Sequence, residues 1–452
     1  MKEIGRRDFL KFGAMGAVGY ATRVPFPMLG IHLPLAGHNS EFFTIAVIAD
    51  TQNYSDGTHP QPLNVDFFLD QTCYLAERRK ELALRFVTHV GDVVQHGDGS
   101  PMDYPAKYGA AQDIEWRNAV KALDVLHEAE IPFGLTPGNH DYDNMSYHPV
   151  DNARPLVSTG ACWRKHFGSN SKYFRGKHWY GGASDEVGYI STGAGGKGTG
   201  QFFPAGTRCN YGLSSFQLFS GGGRQFLHIA LEMEAGDAAI AWAQKVINAH
   251  PDHATIVTTH SYLSPVEWEN DKAPLDPSNP VPRNPAAYLV NSPNGCNGAQ
   301  SLWDKLIAPN DQIFLVLCGH AFTHPRSVQA PTGEVAGVSR GENIRIDTNK
   351  AGHPVYQVLS DYQGNTTLGS GGGDGWYRFM QFDMEKKSIH FYTLNAHLSR
   401  KTGKKVLAGQ SVVYADGTSD FGEPKGFSDF SLAMPVQVLT ARKARSSEKV
   451  FA

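Results

Sequence analysis

Five times along this chain an apolar run stops on a residue able to hold a metal ion or move a proton. "TIAVIADTQ" releases Asp50 and then Gln52, "LRFVTHVGD" ends at Asp92, and "IPFGLTPGNHD" delivers Asn139, His140 and Asp141. "ATIVTTH" stops at His260 and "IFLVLCGH" at His320. Singly, each has an ordinary use, because Asp and Asn start turns and a lone histidine commonly serves structure. Five in succession, each at the end of the same kind of segment, form a pattern. Carboxylate, imidazole and amide oxygen are donors for divalent or trivalent ions of intermediate hardness, such as Zn, Mn or Fe. A central carboxylate can bridge two ions about 3.5–4 Å apart, which clamp a phosphate ester and make water nucleophilic near neutral pH. No Gly-x-x-x-x-Gly-Lys loop and no Gly-x-Ser-x-Gly elbow occurs, so nucleotide-driven transfer and serine hydrolysis are not indicated.

The elements that must position these residues follow from periodicity. Apolar residues recur at helical spacing over 64–81 (Val65, Phe68, Leu69, Leu75), 114–129 (Trp116, Val120, Leu123, Leu126) and 237–249 (Ile240, Trp242, Val246, Ile247), with a short helix at 301–307. Between them lie unbroken apolar runs that read as buried strands. Strand, loop and helix repeat, which predicts an α/β fold. In such sheets ligand sites assemble at the carboxyl ends of the strands, where the connecting loops converge.

The ordered set "AD-T-Q", "VGDVVQHG", "PGNHD", "TTHS" and "CGHAFTH" resembles the calcineurin-like metallophosphoesterase superfamily over roughly residues 42–325. The resemblance implies a four-layer αββα sandwich of two mixed sheets flanked by helices, and a dinuclear metal site that hydrolyses phosphate monoesters or diesters without a covalent enzyme intermediate. It implies that Asp92 bridges two ions, Asp50 binds the first, and Asn139, His260 and His320 bind the second. His140 then steadies the phosphate and helps the leaving oxygen depart, with Asp141 orienting it. Two positions depart from the family pattern. Gln52 stands where a histidine is usual, leaving an amide oxygen as the donor, and Phe322 stands where the last motif has its second histidine. His324, two residues on, is the expected substitute ligand, reaching the first metal through a bulged loop. An alternative reading is a catalytically degenerate relative that binds a phosphorylated or sugar ligand without turnover.

The rest of the chain sets bounds. Its 452 residues, 41% apolar and 19% charged, fit a folded protein with a sizeable core. A net charge of −3 gives no basic field for nucleic acid, so a nuclease is disfavoured and the expected partner is a small phosphorylated substrate. Arg6-Arg7, followed by Phe9-Leu10-Lys11 and a weakly apolar stretch, resembles a twin-arginine export signal within 1–38, implying use of that export machinery and a periplasmic or secreted location. No later run approaches the ~20 apolar residues of a membrane span. The catalytic domain is expected over 42–395, with a lid insertion at 142–212 whose Arg164, Arg175 and His178 contact substrate, and a β-rich extension and tail over 396–452. Asp361 and the "LGSGGGDGW" turn are expected at the rim of the site. Of the five cysteines, Cys162 and Cys209 are candidates for a disulfide, and Cys318 for a buried thiol.

Overall fold

The computed structural model describes residues 42–55, 64–97, 114–142, 161–184, 212–264, 281–288, 296–322, 328–329, 335–336, 341–364, 372–408, 411–413, 419–421 and 428–444. The expected export signal, Cys209 and His324 lie outside the described residues. In chain order the elements begin with β1 (Phe42–Ile48), α1 (Gln52–Ser55), α2 (Asn64–Glu77), β2 (Leu84–His89), α3 (Ile114–Glu128) and β3 (Phe133–Leu135). A 3-10 turn (Asn139–Asp141), α4 (Ala161–Phe167), β4 (Tyr180–Ala183), β5 (Ser215–Gly221), β6 (Arg224–Ala230), α5 (Asp237–Ala249) and β7 (Ala254–Ser261) follow. Next come α6 (Ala299–Leu302) with a π turn (Trp303–Ile307), β8 (Ile313–Gly319), β9 (Val328–Gln329), β10 (Val335–Ala336), β11 (Glu342–Thr348) and β12 (Pro354–Ser360). The chain closes with β13 (Trp376–Asp383), β14 (Ser388–Asn395), α7 (Ala396–Thr402), β15 (Ser411–Val413), β16 (Ser419–Phe421), β17 (Asp429–Ala433) and α8 (Val436–Thr440).

Two mixed sheets result. The first has six strands in the order β17-β14-β13-β1-β2-β3, and the second has seven in the order β11-β12-β8-β7-β6-β5-β4. Within the first, β1, β2 and β3 are parallel; within the second, β6, β7, β8 and β12 are parallel. The unbroken apolar runs have a direct explanation in burial on both faces. In β1, Phe43, Ile45 and Val47 enter a core shared with Phe226, Phe314, Leu317 and Phe382 of the other strands. Ala46 and Ile48 face the opposite way, into a core with Phe68, Leu75, Trp116 and Leu123 of α2 and α3. In β8, Ile313 and Val316 join Trp242 and Ile247 of α5, whereas Phe314 and Leu317 join the core between the sheets. Helix, sheet, sheet and helix therefore stack as the four layers expected.

β13 lies antiparallel to β1 in the first sheet, with Thr44 opposite Gln381. One expectation about the later chain changes. The described residues of α7, β17 and α8 are built into the sandwich rather than set beyond it. Arg400 of α7 pairs with Asp70 and Glu77 of α2, β17 pairs with β14, and Val438 of α8 enters the core between the sheets. Cys318 is a buried thiol that points to the Val358 carbonyl at 3.6 Å.

Glu232, buried just past β6, gives the fold a pH dependence. Its carboxyl accepts from the Ser214 hydroxyl at 2.9 Å, and burial, only partly opposed by that bond, pushes it from 4.5 up to about 8. The folded state keeps a proton that the unfolded chain releases near 4.5, so stability falls as pH climbs from there through about 8. Glu232→Gln is expected to flatten that slope. Urea midpoints of the two proteins at pH 5 and pH 9 check this, and parallel pH curves contradict it.

Candidate metal centre

Asp92 is the hub. The chain leaves β2 through Gly91 at φ +111° and Asp92 at φ +52°, a left-handed backbone that non-glycine residues adopt at a cost and that is found where function holds it. Its Oδ1 accepts from the backbone N–H of His140 at 2.9 Å, and its Oδ2 from Gln52 Nε2 at 3.0 Å. His260 Nε2 lies 3.2 Å from the same Oδ2. Burial opposes a charge on Asp92, yet the imidazoles of His260 and His140 hold its carboxyl well below the usual range.

His260, at the end of β7, is oriented by a backbone oxygen. Its Nδ1 lies 2.9 Å from the Val90 carbonyl. That carbonyl only accepts, so Nδ1 carries the hydrogen and Nε2 is the atom presented to the cluster. Around Nε2 stand Asp92 Oδ2, Asn139 Oδ1 and His320 Nδ1, each at 3.2 Å. Burial works against a charged His260, but Asp92 and Asp50 outweigh it and raise the imidazole to about 10. His320 follows β8 at φ +73°, and its own N–H donates to Asp50 Oδ1 at 3.1 Å. Among the described residues, Asp92, His260 and His320 each offer a ligand atom within 4.8 Å of the others.

Glycines let these loops close on one another. A Cβ at Gly138 would fall against the Asp92 amide and carboxylate, 2.7 Å from Cγ, and one at Gly319 would collide with Asp50 Oδ2. Asp50 and Gln52 are buried beside them. The turn at Gly372–Gly375 supports this side from behind, with the Gly375 N–H donating to Tyr54 Oη in α1 at 2.9 Å.

His140 and Asp141 separate in role. His140 Nδ1 is held at 2.9 Å by the Gln95 carbonyl, and Nε2 stands 4.0 Å from Asp92 Oδ2. Asp141, expected to orient His140, does something else: its carboxylate accepts from the N–H groups of Gly138, Val93 and Val94 at 2.9–3.1 Å. It ties the loop after β2 to the loop after β3, and the carbonyl of Gln95 does the orienting. That residue escaped sequence reading because any residue type supplies a carbonyl. Glu115, at the start of α3, was missed for a similar reason; it accepts from the N–H groups of Gln95 and His96 at 2.8 Å. Tyr288, 5.0 Å from His320 ring to ring, lies in a segment whose sequence carries no periodic signal.

The described part of the expected lid, 161–184, packs on the outer helices. Trp163, Phe167, Tyr173 and Phe174 enter the core with Trp116 and Phe133. Arg164 sits on α4, where His166 stacks on Trp116 of α3 at 5.1 Å. Arg175 and His178 lie farther on, past Tyr173, whose Oη reaches Asp124 at 2.8 Å. Because α3 connects the parallel strands β2 and β3, it runs back along the sheet, and its C-terminal half lies away from the strand tips. The neighbours described for this stretch are thus residues of α3 rather than of the metal cluster. Phe322 contributes no ligand atom.

The family model for calcineurin-like phosphoesterases matches residues 43–323. The chain belongs to that family. A relative is the uncharacterised protein YvnB of Bacillus subtilis strain 168, 25% identical over 363 residues that make up 80% of this chain and 20% of YvnB. The chain thus spans about a fifth of the curated relative it matches. Among solved structures, GAP50, the anchor in the inner membrane complex of Plasmodium, aligns at 11% identity and a TM-score of 0.35, covering 78% of this chain and 85% of GAP50.

Metal ions are what a phosphoesterase of this family implies, and the residues fit them. Two imidazole nitrogens, a carboxylate oxygen and an amide oxygen converge, and a single hydrogen on the central nitrogen could satisfy only one of the three groups that face it. Among the described residues, Gln52 Oε1 and Asp361 Oδ2 are buried oxygens with no hydrogen-bond partner, which costs free energy unless a cation or donor meets them.

The close approach at Gly138 generates a test. Gly138→Ala is expected to cost about 1–3 kcal/mol by overpacking against Asp92, read as a lower urea midpoint. An unchanged midpoint would mean that the two loops have slack.

Proposed function

We propose that this phosphoesterase hydrolyses a small phosphate monoester or diester at the cluster centred on Asp92. The supporting observation is the convergence of Asp92 Oδ2, Asn139 Oδ1 and His320 Nδ1 on His260 Nε2, with His140 at its edge. Two ions of the Zn, Mn or Fe kind, bound there, would neutralise phosphate oxygens and make water nucleophilic near neutral pH. The chain's own residues do the positioning. Asp50, fixed by the His320 N–H, and Asp92, fixed by Gln52 and the His140 N–H, present carboxylates that cannot rotate. His140 keeps Nδ1–H on the Gln95 carbonyl, which leaves Nε2 to exchange a proton with the leaving oxygen or to bind a phosphate oxygen.

A second reading, binding of a phosphorylated or sugar ligand without turnover, draws on Gln52: its Nε2 donates to the Asp92 oxygen that faces His260. Assays of p-nitrophenyl phosphate and bis-p-nitrophenyl phosphate with Mn, Zn or Fe separate the two. Turnover that EDTA abolishes is the expected result; no turnover with any of the three, alongside ligand binding, favours the second reading. His140→Ala is expected to lower kcat by about 10²–10⁴-fold and to leave metal content unchanged. Metal loss from that variant would contradict the role given to His140.

We further propose that residues 1–38 direct twin-arginine export to the periplasm or beyond. A reporter fused after residue 41 should cross the inner membrane, and replacing Arg6 and Arg7 together by lysine should stop it. Among the described residues, no helix is long and apolar enough to cross a membrane.

A further inference from the structure

We infer that Asp361 and the side-chain oxygen of Gln52, together with Asp50, form an all-oxygen cation position next to the Asn139–His260–His320 cluster, in place of the imidazoles usual in this family. The inference rests on the reading of Asp92 as the shared carboxylate. Strand pairing gives the placement. β12 lies parallel to β8, with Leu359 opposite Cys318, so continuing that register sets Asp361 opposite His320. β8 in turn lies parallel to β7, which ends in His260. Three adjacent strands thus carry a donor residue at the same end.

The side chains at that end are short of partners. Asp361 is fully buried; its Oδ1 accepts from the Gln363 N–H at 2.8 Å, while Oδ2 has no hydrogen-bond partner among the described residues. Gln52 spends its Nε2 on Asp92 and leaves Oε1 buried, with no partner among the described residues. Asp50 accepts from the His320 N–H and lies against Gly319, so Asp50 and Asp361 flank the same tip of β8. Two buried carboxylates and an unmet amide oxygen repel one another unless a cation lies among them. Oxygen-only donors favour a hard ion such as Mn²⁺ or Mg²⁺, whereas the imidazole-bearing neighbour suits Zn²⁺ or Fe. The replacement of histidine by Gln52 and Phe322 is then a change of ion preference rather than the loss of a position.

Titration of metal-free, full-length protein with Mn²⁺, followed by calorimetry and EPR, tests this without any substrate. The wild type is expected to bind two ions with an exchange-coupled EPR signal. Asp361→Asn, of the same shape, is expected to weaken one of them by about 10–100-fold and leave the signal of an isolated Mn²⁺, with an unchanged near-ultraviolet CD spectrum. Gln52→Leu should act in the same direction, and covers the case in which Asp361→Asn does not fold. If both variants bind two ions as tightly as the wild type, the inference is overturned. So it is if His324→Ala alone removes one ion. A wild type that binds no metal overturns the proposed function as well, and so differs from failure of this inference alone.

Discussion

A carboxylate withdrawn from water needs donors or cations around it, and Asp92 sits where two sheets bring both. Its backbone is left-handed, its two oxygens are claimed from opposite sides, and glycine is required at position 138 to let the neighbouring loop approach. The first sheet supplies Asp92, the His140 N–H and Gln52; the second supplies His260 and His320. Neither sheet makes the cluster alone. The core of Phe43, Phe226, Phe314 and Phe382 between the sheets therefore does more than stabilise: it fixes the distance across which Asp92 meets His260.

Rigidity at the site comes mainly from backbone groups. The carbonyls of Val90 and Gln95 set the orientation of His260 and His140, and the carboxylates of Asp141 and Glu115 gather the amides of the loops after β2 and β3. This arrangement spends acidic side chains on holding loops and leaves Asp50, Asp92 and Asp361 facing inward. A family member with fewer imidazoles than usual can still present a dense set of donors, because the β12 tip lies one strand beyond His320.

The aromatic-rich stretch over 161–184 shows how composition misleads. Arg, Lys, His and aromatic residues in one loop suggest ligand recognition, yet Trp163, Phe167, Tyr173 and Phe174 bury against α3 and β3, and Lys172 pairs with Asp124 at 2.6 Å. Burial of aromatic area decides the placement, and the charges follow to the surface.

Local pattern was enough to read Asp50, Asp92, Asn139, His260 and His320 as strand-end residues. A strand buried on both faces is largely apolar, so the end of the run locates the tip near which these residues lie. Helix α5 was legible for the same reason, from its 3.6-residue repeat. Tertiary structure alone decided that β13 lies against β1, that β12 lies beside β8, and that a carbonyl rather than Asp141 orients His140. Strand partners far apart in sequence are selected by how their side chains pack, and backbone acceptors carry no residue identity. Periodicity along the chain records where an element ends, but not what it will end beside.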